Sequence, residues 1–453
     1  MSPPEPAGVR AGGPVRVLLA TTPLRGHVAP ALPVAGELVA RGHDVRWLTS
    51  ARHAEAVGRT GARHLPLRAA RDEDGTAWLE ALPGRRPPGA RRVAQDFEHL
   101  FVRTIPGWVA DLEAELAGAA ADVVLVDVGL VEAARAVHER GGPRFAALGV
   151  TPLLLRDDDT GPYGLGLPPA RGTLGRLRHR VLHEALSRTL LRPVVRALRE
   201  ERVGLGLPPD SAASEVGPIS PFLHLQSGVS SLEYPRRAMP SSVRFVGHLA
   251  PPAGEVPLPP WWGDVAAARA EGRRVVVVTQ GTLATDPEDL LLPAVRGLTG
   301  AGHLVVVTTG RRGVTTLPLD PVPADVRVGD LLPFGELLPL ADALVTNGGF
   351  GAVHTALAAG VPLVVAGRTE EKPEIAARVA WSGVGVDLRV QRPTPGQVRR
   401  GVDAVLTEPR YRERARQLAA EYADLDAPVR CADLLEELVG GGGPLPGRSP
   451  GAS

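Results

Sequence analysis

The stretch Val345–Val379, VTNGGFGAVHTALAAGVPLVVAGRTEEKPEIAARV, reads as strand, glycine-rich turn, helix, strand, polar loop and helix. Two short apolar runs joined by a helix are the mark of parallel strands in an α/β sheet. Gly348, Gly349 and Gly351 fall where the first strand gives way to the helix Ala352–Ala359. Free backbone N–H groups and the helix dipole both favour a phosphate at such a turn. The loop after the second strand supplies an acid and a base, Glu371 and Lys372. Lys372 is the only lysine among the 51 lysines and arginines of the chain. A phosphate cradle beside a charged loop that can bond hydroxyls points to an activated sugar.

The same rhythm extends in both directions. Apolar runs at Val15–Thr21, Asp44–Thr49, Arg63–Leu67, Asp122–Asp127, Arg144–Gly149 and Phe222–Gln226 form one set. Runs at Val275–Thr279, Leu304–Thr309, Val326–Asp330, Ala343–Thr346, Pro362–Ala366 and Val384–Leu388 form a second. Helical segments such as Ala31–Arg41 and Glu132–Arg140 lie between them. Two such sets predict two doubly wound α/β domains. The expected layout is a leader 1–14, a first domain 15–232, a proline-rich linker 233–272, a second domain 273–408, helices over 409–439 and a tail 440–453. The linker assignment rests on seven prolines within Glu233–Trp262.

Composition narrows the functional classes. A net charge of +1 provides no field that selects nucleic acid or a charged membrane. No apolar run reaches the roughly 18–20 residues of a membrane helix, and the first residues lack the apolar core of a signal peptide. The one cysteine, Cys431, has no partner for an internal disulfide. A cytoplasmic protein is the expectation.

Four constellations can carry chemistry. Thr21–Pro30, after the first strand, places His27 in the first turn of a helix. There the dipole keeps an imidazole neutral, as a general base requires; a surface or capping histidine is the plainer reading. Asp127 ends the fourth strand on the same sheet edge and can fix the tautomer of His27, or simply cap the next helix. Gln280, Gly281 and Thr282 follow the first strand of the second set and suit a phosphate, though taken alone a plain turn is the simpler reading. Asn347, Gly348, Gly349, Phe350 and Gly351 form the cradle already described. The run Asp157–Asp159 has the look of a metal-binding acidic motif, but a solvated charge run is the plainer reading.

Taken together these residues resemble the family 1 glycosyltransferases, inverting enzymes of GT-B fold, in the bacterial type that acts on small natural products. The resemblance covers Val15 to Leu438. It is carried by RGHVAPALPVAGELVARGHDV in the first domain, by Glu233–Arg236, Arg244–Gly247 and Thr279–Thr282, and by Pro333–Asp342 and Gly360–Pro362. It implies that His27 is the base and Asp127 its orienting partner. It implies that Leu332, Pro333 and Phe334 hold the nucleotide base and that Glu371 and Lys372 bond the sugar. No metal or other cofactor is implied, and a C-terminal helix crosses back to the first domain. UDP-glucose is the first choice of donor, with a dTDP-deoxysugar second. The acceptor would be a hydrophobic molecule seated along Arg71–Phe101 and Leu153–Leu174, with Trp78, Phe97, Phe101 and Tyr163 among its neighbours. No nucleic-acid partner is expected, and the state is monomer or homodimer. Asn347, Ala352, Thr355 and Lys372 depart from the family pattern at the donor site, where His354 could replace lost contacts. An inactive nucleotide-sugar-binding homologue, a helper of a partner transferase, or another GT-B activity such as epimerisation are the alternatives.

Overall fold

A computed structural model of the protein describes residues 13–72, 90–211, 217–250, 257–281 and 286–441. In the first half strands β1 (Arg16–Ala20), β2 (Asp44–Leu48), β3 (Arg63–Leu65), β4 (Val123–Asp127), β5 (Phe145–Gly149), β6 (Leu223–Ser227) and β7 (Val243–Gly247) form one sheet. Helices α1 (Arg25–Ala40), α2 (Ala54–Arg59), α3 (Ala90–Phe97), α4 (Ile105–Gly118), α5 (Val131–Glu139), α6 (Gly172–Arg188) and α7 (Arg192–Gly204) connect them. The strand order is β3-β2-β1-β4-β5-β6-β7, and every pairing is parallel.

The second half repeats the plan. Strands β8 (Val275–Thr279), β9 (Leu304–Thr308), β10 (Val326–Gly329), β11 (Ala343–Thr346), β12 (Leu363–Val365) and β13 (Gly385–Asp387) run parallel in the order β10-β9-β8-β11-β12-β13. Its helices are α8 (Gly263–Ala270), α9 (Leu291–Leu298), α10 (Phe334–Leu337), α11 (Phe350–Ala358), α12 (Lys372–Ser382), α13 (Pro395–Thr407), α14 (Pro409–Ala423) and α15 (Ala427–Gly440). The expected doubly wound α/β architecture is therefore present twice.

Strand side chains alternate between two apolar layers. In β1, Val17 and Leu19 pack with α1 and α15, while Leu18 and Ala20 pack with α4 and α5. In β8, Val275 and Val277 face one layer and Val276 and Val278 the other. Burial on both faces is why these strands are continuous valine and leucine runs rather than alternating ones.

Three boundaries differ from expectation. Helix α1 begins at Arg25, six residues before Ala31. Pro30 and Pro33 lie inside it and hide its start, because each removes an N–H from the helical ladder. Part of the proline-rich linker, Val243–Gly247, is β7, the seventh strand of the first sheet. As an edge strand it needs few apolar residues, so its sequence reads weakly beside the neighbouring prolines. Of the C-terminal helices only α15 packs on the first sheet, through Cys431, Leu435 and Leu438. Helix α14 stays with the second core through Ala415, Leu418 and Tyr422.

Candidate active site

In an open α/β sheet the ligand crevice lies at the carboxyl end of the two central strands from which the order runs in opposite directions. In the first sheet those strands are β1 and β4, paired through Ala20 and Val126. Helix α1, carrying His27, follows β1, and Asp127 is the last residue of β4. In the second sheet they are β8 and β11, paired through Thr279 and Thr346. Gln280 follows one and Asn347 the other. Each predicted pair thus occupies the switch point of its own sheet.

His27 and Asp127 meet: Nδ1 of the histidine lies 2.8 Å from Oδ1 of the aspartate. Asp127 is fully buried and also accepts the backbone N–H groups of Thr22 and Gly129. Two backbone N–H groups therefore fix the carboxylate, and it fixes the ring. Burial opposes protonation of His27, but the charge and hydrogen bond of Asp127 and the charge of Glu371 outweigh it, so its pKa stands above the ordinary 6.5. Phe101 lies across the imidazole at 6.3 Å between ring centres and packs on Phe97 at 5.2 Å. A side chain on Gly129 would strike Phe101, which makes glycine a requirement there.

Asp127→Asn tests this arrangement. An amide cannot accept from both Thr22 and Gly129 as well as from His27, so the ring loses its orientation and its negative neighbour. The acid limb of the kcat/KM–pH profile should move to lower pH, because burial is then opposed only by the charge of Glu371, and the plateau should fall. An unmoved limb would show that Asp127 does not govern the histidine.

Opposite this pair, Gly348 adopts φ +92 and Gly281 φ +74, conformations that favour glycine. A side chain on Gly351 would meet nothing within 4 Å, so protein packing does not demand a glycine there. Gly349 precedes α11, which no side chain caps. The Asn347 amide donates to the carbonyl of Gln280, tying β8 to β11, and its own oxygen is buried without a protein partner. Gln280 Nε2 bonds the Asp286 carbonyl at 3.1 Å. Thr282 lies outside the described residues, as does Trp78.

Leu332, Pro333 and Phe334 lie after β10 on the same sheet edge. Asp330 shapes that loop by accepting the N–H groups of Gly313 and Leu331. Trp261, which the sequence reading missed, lies beneath it and donates to the Val328 carbonyl at 3.0 Å. Glu371 precedes α12. Burial raises its carboxyl above the usual value and Glu370 adds to this, against the pull of Lys372 and His27. Lys372 is buried, with its ammonium paired to Glu370 and 3.3 Å from the Thr369 hydroxyl. Glu370 is one of two non-glycine residues with positive φ among the described residues.

Other expectations are corrected. His354 does not replace lost donor contacts. It is buried against Tyr422 and Phe350, and burial lowers its pKa to about 3. Thr355 bonds His248, 3.0 Å away and contributed by the chain after β7. The acidic run is not a solvated face: Asp157 pairs with the buried Arg236, Asp158 with Arg180 and Asp159 with Arg237. Leu153 and Leu155 pack with Ile219 and Val243 in a small core.

Two facing Rossmann-like domains, with a histidine–aspartate pair at one switch point and a glycine turn at the other, define the GT-B class of sugar-transfer enzymes. Residues 300–438 match the C-terminal domain model of the erythromycin biosynthesis protein CIII-like proteins. The chain is 47% identical to 4'-demethylrebeccamycin synthase of Lentzea aerocolonigenes, over 94% of this chain and 99% of that one. It is 35% identical to UDP-glycosyltransferase 2 of Phaeomoniella chlamydospora, over 93% and 95%. The crystal structure of the kitacinnamycin glycosyltransferase superposes with a TM-score of 0.70 at 23% identity, covering 94% of this chain and 99% of that one, a likeness of fold. The protein belongs to glycosyltransferase family 1 and is a glycosyltransferase.

Proposed function

We propose that the enzyme transfers a hexose from a nucleoside diphosphate sugar to a hydroxyl of a hydrophobic natural product, with inversion at the anomeric carbon. The observation that carries this reading is the His27–Asp127 contact at the switch point of the first sheet, opposite an uncapped helix and glycine turn. Neutral His27 accepts the proton of the acceptor hydroxyl as its oxygen attacks, and Asp127 stabilises the imidazolium. The departing diphosphate rests against the Gly348–Gly351 turn and the N-terminus of α11, with Gln280 and Gly281 on its other side. Leu332, Pro333 and Phe334 hold the base, and Glu371 bonds the sugar beside the attacking oxygen. No step in this scheme needs a metal ion. UDP-glucose is the preferred donor, in keeping with the names of several relatives, and a dTDP-deoxysugar the second. The meeting of base and orienter favours catalysis over the helper-protein reading, since a helper has no use for a histidine so held.

Incubation with UDP-glucose and with dTDP-glucose, each against a panel of hydrophobic hydroxylated acceptors, tests the reading by mass spectrometry. A hexosylated product with inverted anomeric configuration is expected. Hydrolysis or epimerisation of the donor as the only reaction would overturn it.

Lys372 bears on the donor alone in this scheme. Its charge sits between Glu370 and Glu371, so Lys372→Gln leaves two adjacent carboxylates uncompensated. The donor KM should rise about fivefold or more, on the order of 1 kcal/mol, with the acceptor KM unchanged. A change confined to the acceptor KM in steady-state kinetics would refute the placement.

A further inference from the structure

The amino ends of β8 and β11 carry a feature that sugar transfer does not use. Arg274 directly precedes β8 and Asp342 directly precedes β11, the strands whose other ends lead to Gln280 and Asn347. Both residues line a cavity of about 470 Å³. A five-residue strand places it about 16 Å from the donor cleft, on the opposite edge of the sheet.

Four guanidinium groups converge on this cavity: Arg269 of α8, Arg274, and Arg412 and Arg416 of α14. Asp342 is the carboxylate that answers them. It lies 3.1 Å from Arg274, 3.1 Å from Arg412 and 3.7 Å from Arg269, and it also accepts the Val275 N–H. The other acid at the rim, Glu408, is 2.6 Å from Arg410. Arg416 has no hydrogen-bond or ion-pair partner among the described residues. Four positive charges against one buried negative charge leave the cavity strongly cationic, in a chain whose net charge is only +1. Arg412 stands in the first turn of α14, where the helix dipole already disfavours a cation. Burial and the charges of Arg416, Arg274 and Arg269 lower its pKa, against the pull of Asp342.

We propose that this cavity binds a phosphate-class anion carrying two or more negative charges. Arginine forks match phosphate oxygens in pairs, and such an anion would relieve the mutual repulsion of the four guanidinium groups. The volume exceeds that of bare phosphate, and apolar walls from Val405, Leu406 and Pro339 leave room for a small organic group on the phosphate.

The test is calorimetric titration of inorganic pyrophosphate, inorganic phosphate and glucose 1-phosphate into the wild-type enzyme and the R412Q/R416Q variant. The wild type should bind at least one of the three with a Kd below about 1 mM, more weakly as salt rises. The double variant should lose at least tenfold in that affinity while keeping the wild-type donor KM, which shows an intact fold and cleft. Binding of glucose 1-phosphate in preference to the bare anions would identify a phosphorylated metabolite as the occupant, and the reverse order a free anion. Titrations that superimpose for both proteins, or no saturable binding to the wild type, overturn the proposal. Should the double variant fold poorly, R416Q alone gives the same decision, because its change breaks no hydrogen bond or ion pair among the described residues.

Discussion

His27→Ala lowers kcat by a factor of about 10² or more, the size typical of a lost general base. The loss should appear at saturating donor and acceptor, because the imidazole works on the proton that moves in the transition state rather than on ground-state binding. In the wild-type enzyme the base must be neutral. Since its pKa stands above 6.5, turnover should climb with pH through an apparent pKa higher than that of a free histidine. The alanine variant should lose this limb entirely, and its residual rate should be nearly flat across the same range. Donor affinity should be unchanged, because the phosphate and base contacts lie on the other sheet. A variant that keeps near-normal turnover would remove His27 from the mechanism and with it the meaning of the Asp127 contact.

How far the sequence discloses this site depends on what each residue answers to. His27, Asp127, Gln280 and Asn347 were legible because backbone topology places them: each follows or ends a central strand, and strands buried on both faces are plain as apolar runs. Asn347 was legible only as a position. Its amide turns back to the Gln280 carbonyl instead of standing free for a ligand, which depends on two loops meeting. The same holds for His248 against Thr355 and for Trp261 under the Asp330 loop, since both pairs join residues that no local pattern relates. The acidic run Asp157–Asp159 shows the limit most clearly. Three consecutive aspartates read as a solvated face, yet their arginine partners stand 22 and about 80 positions away. Arginine is so abundant in this chain that none of the partners could be singled out.

Those arginines lead to the second large effect. Arg378→Ala should destabilise the protein by about 3 kcal/mol, toward the low end for breaking a buried ion pair. Arg378 is 5% exposed and donates to Glu233 through Nε at 3.0 Å and Nη2 at 2.8 Å, and to Glu374 through Nη1 at 2.8 Å. Its removal strands two buried carboxylates. Glu233 keeps Arg236 at 2.9 Å, and Glu374 keeps the N–H groups of Gly164 and Gly166, which is why the low end applies. Arg378→Lys should recover only part of the loss, since a point charge cannot reproduce the fork. The pH dependence has a definite sign. Burial works to raise the pKa of Glu233, but the charges of Arg378 and Arg236 hold it below the ordinary 4.5. The stability it contributes is present above that ordinary value and disappears as pH falls through the depressed one. The melting-temperature gap between wild type and Arg378→Ala should therefore narrow in acid. The consequence reaches catalysis because Glu374 grips the loop bearing Tyr163, and Gly166 presses so closely on Pro373 that a side chain there would strike its carbonyl. Arg378 thus ties Glu374, which grips this loop, and the helix that begins beside Glu371 to Glu233. Its loss should raise the acceptor KM along with lowering the melting temperature. Calorimetry showing a melt within about 1 °C of wild type would mean that the network holds neither the domains nor the loop together.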